Sequence, residues 1–237
     1  MMLPQLQNTL ADFFALFYPR TCLACSQALL RNEEFLCRSC ETDLPQTNHI
    51  TDPENVLLKR FTGRIPLLGA AALYQFRKDG PVQKLLHNLK YKGRQEIGRA
   101  VGEAFAARMK EPTSIITGID LVVPVPLHWK KERKRGYNQC STFAQSLAEG
   151  LGVKPSLTAL ERIHENISQT TQSRFDRYGN VAEIFAVKDE AQLQGKHVLL
   201  VDDVVTTGAT AEACLQTILK VKNTRVSFAA IAAAARY

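Results

Sequence analysis

Residues 198–210 read VLLVDDVVTTGAT, and this stretch decides the fold. The apolar residues at its start predict a buried strand that reaches the carboxyl edge of a sheet, where open α/β sheets bind their ligands. Small, hydroxylated residues and a glycine then follow at 206–210, directly before a predicted helix. The N–H groups, threonine hydroxyls and helix dipole of such a turn can hold a phosphate.

Two carboxylates, Asp202 and Asp203, precede the phosphate-binding turn. Adjacent carboxylates repel a phosphate, but they accept hydrogen bonds from the vicinal hydroxyls of a ribose. The acid pair and the turn together therefore predict a sugar-phosphate site. The alternative is a helix N-cap with two incidental acids. A nucleotide P-loop is excluded because it needs a Gly-Lys-[Ser/Thr] ending, which this string lacks.

Strands and helices alternate along the chain from residue 67 onward. Apolar and β-branched runs predict strands at 67–76, 119–126, 182–187, 196–201 and 225–234. Amphipathic spacing predicts helices that begin at Pro81, and others at 96–109, 140–151 and 211–222. This alternation is typical of an α/β fold with a mostly parallel sheet covered on both faces.

A second unusual stretch is VPVPLHWKKERKRGYNQ at 123–139, a proline-stiffened strand exit with five cations within six residues. This density of positive charge suits a pyrophosphate. A solvated run of charges at a helix start is the alternative. Cations at a helix N-terminus oppose the dipole, however, so a bound anion would relieve a real cost.

The string VDDVVTTGAT resembles the motif with which type I phosphoribosyltransferases bind phosphoribosyl pyrophosphate (PRPP). Residues 67–237 as a whole resemble the ComF (GntX-like) family through this string, PVPLHWKKERKRGYNQ, Arg162, Gln169-Thr170, Arg174, Arg177, Asn180-Val181 and Phe185. Members of that family are phosphoribosyltransferase-like proteins linked to DNA uptake in naturally competent bacteria. The resemblance implies a type I phosphoribosyltransferase-like α/β fold.

The resemblance also implies roles for individual residues. Asp202 and Asp203 would be the catalytic pair that holds the ribose hydroxyls. The PRPP site would continue through Val204, Val205, Thr206, Thr207, Gly208, Ala209 and Thr210. The pyrophosphate loop would comprise Pro124, Val125, Pro126, Lys130, Arg133 and Arg135. Mg²⁺ would bridge the sugar hydroxyls and the pyrophosphate, mostly through the substrate and water.

Arg162, Arg174 and Arg177 lie in the segment that corresponds to the mobile loop of the enzymes. Closure of such a loop excludes water and positions cations over a substrate. A flexible exposed loop rich in arginine is an equally good interpretation of these residues.

Four cysteines, Cys22, Cys25, Cys37 and Cys40, form two C-x2-C pairs separated by eleven residues. Two such pairs complete a tetrahedral thiolate set, which selects zinc and leaves no open position for catalysis. The spacing therefore predicts a structural zinc site, and the resemblance adds that such proteins commonly begin with a zinc ribbon. An iron–sulfur cluster or a redox pair is the alternative. Cys140 and Cys214 occupy predicted core positions and are expected to be inert.

The predicted organisation is an amphipathic helix at 1–19, a zinc ribbon at 20–45, a linker at 46–66 and a phosphoribosyltransferase-like domain at 67–237. No signal peptide or membrane span is apparent, so a cytoplasmic location is expected. Membrane contact through the apolar stretch Leu10–Tyr18 is the minority alternative. The net charge of +7 suits anionic ligands without identifying one.

Two functions fit these features. The first is an enzyme that transfers phosphoribosyl from PRPP to an unknown acceptor, since no segment indicates a nucleobase pocket. The second is a non-catalytic protein that senses PRPP or another ribose 5-phosphate, or handles single-stranded DNA together with other competence proteins. The cations for DNA would be the 130–135 cluster and, around Tyr91, Lys84, Lys90, Lys92 and Arg94.

Overall fold

The computed structural model describes residues 19–164 and 184–235. Within these ranges the strands are β1 (Leu67–Phe76), β2 (Leu121–Pro124), β3 (Lys154–Pro155), β4 (Leu160–Arg162), β5 (Phe185–Val187), β6 (His197–Val205) and β7 (Arg225–Ala234). Five of them form one parallel sheet in the order β1-β7-β6-β2-β3. Strands β4 and β5 form a separate antiparallel pair.

The helices of the described chain are α1 (Arg38–Asp43), α2 (Val56–Lys59), α3 (Pro81–Tyr91), α4 (Glu96–Met109), α5 (Trp129–Arg135), α6 (Gln139–Leu151), α7 (Glu190–Leu193) and α8 (Ala209–Leu219). No helix in residues 19–164 or 184–235 is long and apolar enough to cross a membrane.

Both faces of the parallel sheet are covered, because alternate residues of each strand point to opposite sides. On β6, Leu199 and Val201 belong to the core shared with α3, α4 and α6. Val198 and Leu200 belong to the other core, which is shared with α2, α7 and α8. The predicted α/β fold with a mostly parallel sheet is confirmed.

The strand that carries the acid pair is longer than predicted. The sequence places its end at Val201, but β6 continues to Val205 and pairs there with Ala233 of β7. The β-branched valines after the acids continue the ladder, so Asp202 and Asp203 lie within the strand. Helix α8 correspondingly begins at Ala209, two residues before the predicted start.

Residues 46–66, which the sequence analysis takes as a linker, pack on the body of the protein. Ile50, Leu57 and Phe61 are completely buried. The side chain of Asn55 caps α2 by accepting from the Leu58 N–H at 2.8 Å, and it donates to the Ala70 carbonyl of β1 at 3.0 Å. Apolar residues spaced among polar ones give this segment a buried face that its composition conceals.

The predicted N-terminal helix at 1–19 falls outside the described residues except for Pro19. The same is true of Arg174 and Arg177.

Helices α4 and α6 approach closely at Gly102. A Cβ atom there would lie 2.7 Å from the Cβ of Ser146 and 2.9 Å from the backbone nitrogen of Leu147. Because backbone atoms of α6 are among these neighbours, rotation of a side chain cannot make room. This contact fixes the distance between the two helices.

We expect Gly102→Val to destabilise the protein by about 1–3 kcal/mol, since overpacking outweighs any gain in helix propensity. The matched control is Ala104→Val on the exposed side of α4, which should cost only a few tenths of a kcal/mol. Urea unfolding of both variants measures the difference, and equal free energies of unfolding would contradict the packing described for α4 and α6.

Candidate functional site

A crevice opens at the carboxyl ends of β2 and β6, which are neighbours in the sheet. The chain leaves β2 toward α6 on one face and leaves β6 toward α8 on the other face. Adjacent parallel strands whose connections diverge in this way form the place where open α/β sheets bind ligands. The two stretches that the sequence analysis singles out, 123–139 and 198–210, therefore meet at this crevice.

Asp203 lies on the α3 and α6 side of β6 and is only 3% exposed. Its Oδ1 atom is 2.8 Å from Nζ of Lys90, and its Oδ2 atom accepts from Nε2 of Gln139 at 2.6 Å. A buried carboxylate needs such partners, because an unpaired charge in the interior is costly. Both carboxylate oxygens are thus already engaged by side chains of the protein.

Asp202 is half-buried and lines a depression together with residues 204–211. Its Oδ1 atom accepts from the Asp203 N–H at 2.8 Å and lies 3.6 Å from the sulfur of Cys140. Burial, and then the charge of Asp203, raises the pKa of Asp202 to about 7. Of the two predicted ribose ligands, Asp202 is the one that faces the depression.

Cys140, expected to be an inert core residue, is buried but contacts the acid pair. Burial and the charges of Asp203 and Asp202 raise the pKa of its thiol well above 9, so the S–H group donates to Asp202. Cys214 is completely buried in the other core, as its position in α8 predicts. The spacing along α6 indicates burial for Cys140 but carries no sign of a carboxylate beside it.

The predicted phosphate turn is an exposed loop in front of α8. Gly208 has a φ of +87°, a conformation that favours glycine, and it immediately precedes the first residue of the helix. Thr206, Thr207 and Thr210 are exposed around it. Open helix N–H groups, hydroxyls and the positive helix end are thus assembled at one place, which is what binding a phosphate requires.

The packed segment 46–66 supports this loop from below. The buried guanidinium of Arg60 donates to the carbonyl of Thr206 at 2.5 Å and to the carbonyl of Ala234 at the end of β7. Phe61 lies under Gly208, where a Cβ would come within 3.2 Å of its ring. Arg64 pairs with Glu212 of α8 at 2.5 Å. The linker interpretation misses these supporting residues because nothing in the local sequence links them to a loop 146 residues away.

The predicted pyrophosphate loop contains a short helix. Pro124 ends β2, Val125 donates its N–H to the Val201 carbonyl at 2.8 Å, and Pro126 is half-buried. Lys130 and Arg133 lie exposed on α5, whose last turn holds Arg133, Lys134 and Arg135. The dipole argument of the sequence analysis is therefore reversed, because most of these cations lie at the C-terminal end of a helix, where they are favourable.

Arg135 points away from the phosphate loop and joins the surroundings of Asp203. It donates to Oε1 of Gln139, the residue whose amide nitrogen donates to Asp203. Its guanidinium also lies 5.1 Å from the centre of the Tyr91 ring. His128 caps α5 by accepting from the N–H of Lys130.

Of the three predicted mobile-loop arginines, Arg162 is the one within the described residues. It ends β4, lies with its guanidinium 5.5 Å from the centre of the Phe185 ring, and donates to the His164 carbonyl at 3.1 Å. Its contribution to a ligand stays a prediction.

Cys22, Cys25, Cys37 and Cys40 come together, with all four sulfur atoms within 4.8 Å of one another. Burial opposes ionisation of Cys22, but backbone hydrogen bonds from Cys25, Cys37 and Ala24 outweigh it and lower its pKa to about 6. A readily formed thiolate among three further sulfur donors fits a tetrahedral metal such as zinc.

The cysteine cluster is attached to α3. Leu23 packs into the core beneath this helix, and its carbonyl accepts from Nδ2 of Asn88 at 2.7 Å. Lys90 lies two residues further along the same helix. The cluster and the ion pair at Asp203 therefore share one structural element.

The raised pKa of Asp202 predicts a pH effect on stability. Between its usual value of 3.8 and about 7, the native state holds a proton that the unfolded state has lost. The free energy of unfolding should therefore fall as pH rises through this window, by at most about 1.4 kcal/mol per pH unit for this group. Asp202→Asn removes the effect, so the variant should gain stability relative to wild type from pH 4 to 7.

Urea unfolding of both proteins at several pH values measures this difference. The control is Asp189→Asn, which changes an exposed carboxylate on α7. A difference between wild type and Asp202→Asn that stays constant across pH 4–7 would refute the assignment of the raised pKa.

Comparison with known proteins agrees with this architecture. Residues 138–237 match the phosphoribosyl transferase domain family. The chain is 30% identical over 202 residues to the DNA utilization protein YhgH of Escherichia coli K12, covering 84% of each chain. It is 27% identical over 198 residues to competence protein ComFC of Bacillus subtilis, covering 77% of each.

Among solved structures, the allosteric regulatory enzyme of purine biosynthesis aligns with a TM-score of 0.44 at 18% identity, over 61% of this chain and 30% of that one. The sequence relatives and the domain match identify the family: the chain belongs to the ComF family of type I phosphoribosyltransferase-like proteins.

Proposed function

We propose that the crevice binds PRPP, or another ribose 5-phosphate, and that the protein serves DNA utilization in competence as its relatives' names indicate. The observation that carries the proposal is the half-buried Asp202 carboxylate beside the open 206–210 loop. A carboxylate accepts from sugar hydroxyls, while the loop and helix end hold a phosphate. The two halves of a ribose 5-phosphate thus find complementary groups side by side.

Asp203 has a supporting role in this proposal. Its oxygens are held by Lys90 and Gln139, and its backbone N–H donates to Asp202. This fixes the orientation of the Asp202 carboxylate before a ligand arrives, and fixed acceptors lose less freedom on binding.

Mg²⁺ suits this site because Asp202 and the threonine hydroxyls are oxygen donors, which this hard ion prefers. Bound with the ligand, it would neutralise pyrophosphate charge. The chain's own contributions are the carboxylate, the phosphate loop and the cations of α5.

In a phosphoribosyl transfer, a lone pair of the acceptor would form a bond to the anomeric carbon. The bond from that carbon to the pyrophosphate oxygen would break, and pyrophosphate would leave with the electron pair while the acceptor loses a proton to water. Cations near the leaving group would stabilise its growing charge. The acceptor class is open, and a non-catalytic PRPP sensor uses the same site.

A second candidate function, handling of single-stranded DNA, is favoured by exposed aromatic residues among cations. Trp129 is 58% exposed, and Nζ of Lys130 lies 5.7 Å from the centre of its ring. Such pairs can stack bases and contact phosphates. DNA binding of this kind should weaken steeply as salt is raised, because phosphate contacts release counterions.

The cysteine cluster is proposed to hold a structural zinc ion. Four sulfur donors fill a tetrahedral shell, so the metal would supply folding energy to residues 20–45, a segment with little core of its own.

Calorimetric titration with PRPP and Mg²⁺ tests the proposed site. Wild type should bind, and Asp202→Asn combined with Asp203→Asn should weaken binding about tenfold or more, because hydrogen bonds to charged groups are lost. A matched control, Glu103→Gln with Glu149→Gln, removes two exposed carboxylates elsewhere and should bind like wild type. Unchanged affinity in the aspartate variant would reject the site, and pyrophosphate release with a panel of bases and amines separates an enzyme from a sensor.

Elemental analysis of the undenatured protein tests the metal proposal. We expect about one equivalent of zinc per chain, and Cys25→Ser should lower both the zinc content and the melting temperature. Cys140→Ala, which removes a thiol outside the cluster, should keep the zinc. A metal content well below one equivalent in wild type would defeat the proposal.

A further inference from the structure

A cleft of about 420 Å³ lies beside the crevice, where the end of α3 meets α5. The side chains that line it are Lys90, Tyr91, Lys131, Lys134, Arg135 and Tyr137. None of the described residues lining it is acidic. Its size is that of a pocket for a small molecule, and its four cations select an anion.

Two aromatic rings give this cleft a second kind of recognition. Tyr91 is 66% exposed and presents a ring to solvent at the cleft wall. Tyr137 is fixed, because its hydroxyl donates to the carbonyl of Leu89. A flat ring on the ligand can stack on Tyr91, on which the Arg135 guanidinium already packs.

A chain of contacts runs from this cleft to the acid pair. Arg135 donates to Oε1 of Gln139, and the amide nitrogen of Gln139 donates to Asp203. Lys90 also connects the two places, since its ammonium is paired with Asp203 while its side chain lines the cleft. An anion in the cleft must therefore share these two cations with the neighbourhood of Asp203.

We propose that the cleft is a second ligand site, distinct from the ribose-phosphate crevice, that takes a nucleoside monophosphate. Its base stacks on Tyr91, and its phosphate lies among Lys131, Lys134 and Arg135. The phosphate competes with Asp203 for Lys90. That its occupancy adjusts the ribose site rests on the proposed function, whereas nucleotide binding itself does not.

The competition for Lys90 gives the proposal a definite sign. Removing the charge of Asp203 releases the Lys90 ammonium and removes a repelling carboxylate from the vicinity of the cleft. Asp203→Asn should therefore strengthen binding in the cleft. The same substitution should weaken any ligand that Asp203 helps to hold in the crevice, so the two sites respond in opposite directions.

The experiment measures binding of 2′-deoxyadenosine 5′-monophosphate by calorimetry. This probe lacks the vicinal diol that the acid pair would recognise, which disfavours the crevice. We expect wild type to bind it, and Asp203→Asn to bind about threefold more tightly or better. Tyr91→Ala should weaken binding about fivefold or more, because stacking is lost, while Tyr91→Phe should bind like wild type because the ring remains.

Further arms separate the remaining sources of a signal. Tyr91 is exposed, so its variants test the site even where Asp203→Asn lowers the melting temperature. Inorganic phosphate that binds as tightly as the nucleotide would overturn recognition of the base. Binding of oligodeoxyadenylate without binding of the mononucleotide would overturn the proposal in favour of a nucleic-acid surface. Weaker nucleotide binding by Asp203→Asn would place the probe in the crevice and also overturn it.

Failure of this proposal is distinguishable from failure of the proposed function. PRPP binding that survives Tyr91→Ala while the nucleotide is lost supports two separate sites. Absence of PRPP binding with nucleotide binding intact leaves the cleft standing and rejects only the crevice.

Discussion

A carboxylate buried at the end of the central strand must be paired, and Asp203 meets this demand with groups from two different helices. Lys90 comes from α3 and Gln139 from the first turn of α6. Because both helices cover the same face of the sheet, the pairing ties them to β6 at the edge where ligands enter. The orientation of Asp202, the position of Arg135 and one wall of the basic cleft all follow from these two contacts.

The opposite face of the sheet carries a second support. Arg60 joins the loop after β6 to the end of β7 through two carbonyl groups, and Phe61 closes the space beneath Gly208. A loop that exposes N–H groups toward a ligand has few internal bonds of its own, so its shape must come from below. The segment 46–66 supplies that shape, although it reads as a polar connection.

The cysteine cluster extends this dependence to the N-terminal side of the described chain. Its docking on α3 through Leu23 and Asn88 places a compact element against the helix that carries Lys90. A small module without a core of its own gains its position from that helix, and the helix in turn gains packed neighbours.

The sequence by itself determined the α/β class, the bounds of β1 and α4, the acid pair with its turn, and the four-cysteine set. Each of these depends on local periodicity or spacing, which residues express without their distant neighbours. Only the tertiary structure decided that Asp203 is buried and engaged while Asp202 faces the depression, that Cys140 touches a carboxylate, and that Arg60 supports the phosphate loop. Those facts join residues 62 to 146 positions apart, and no local pattern records such contacts because they arise only when strands and helices pack.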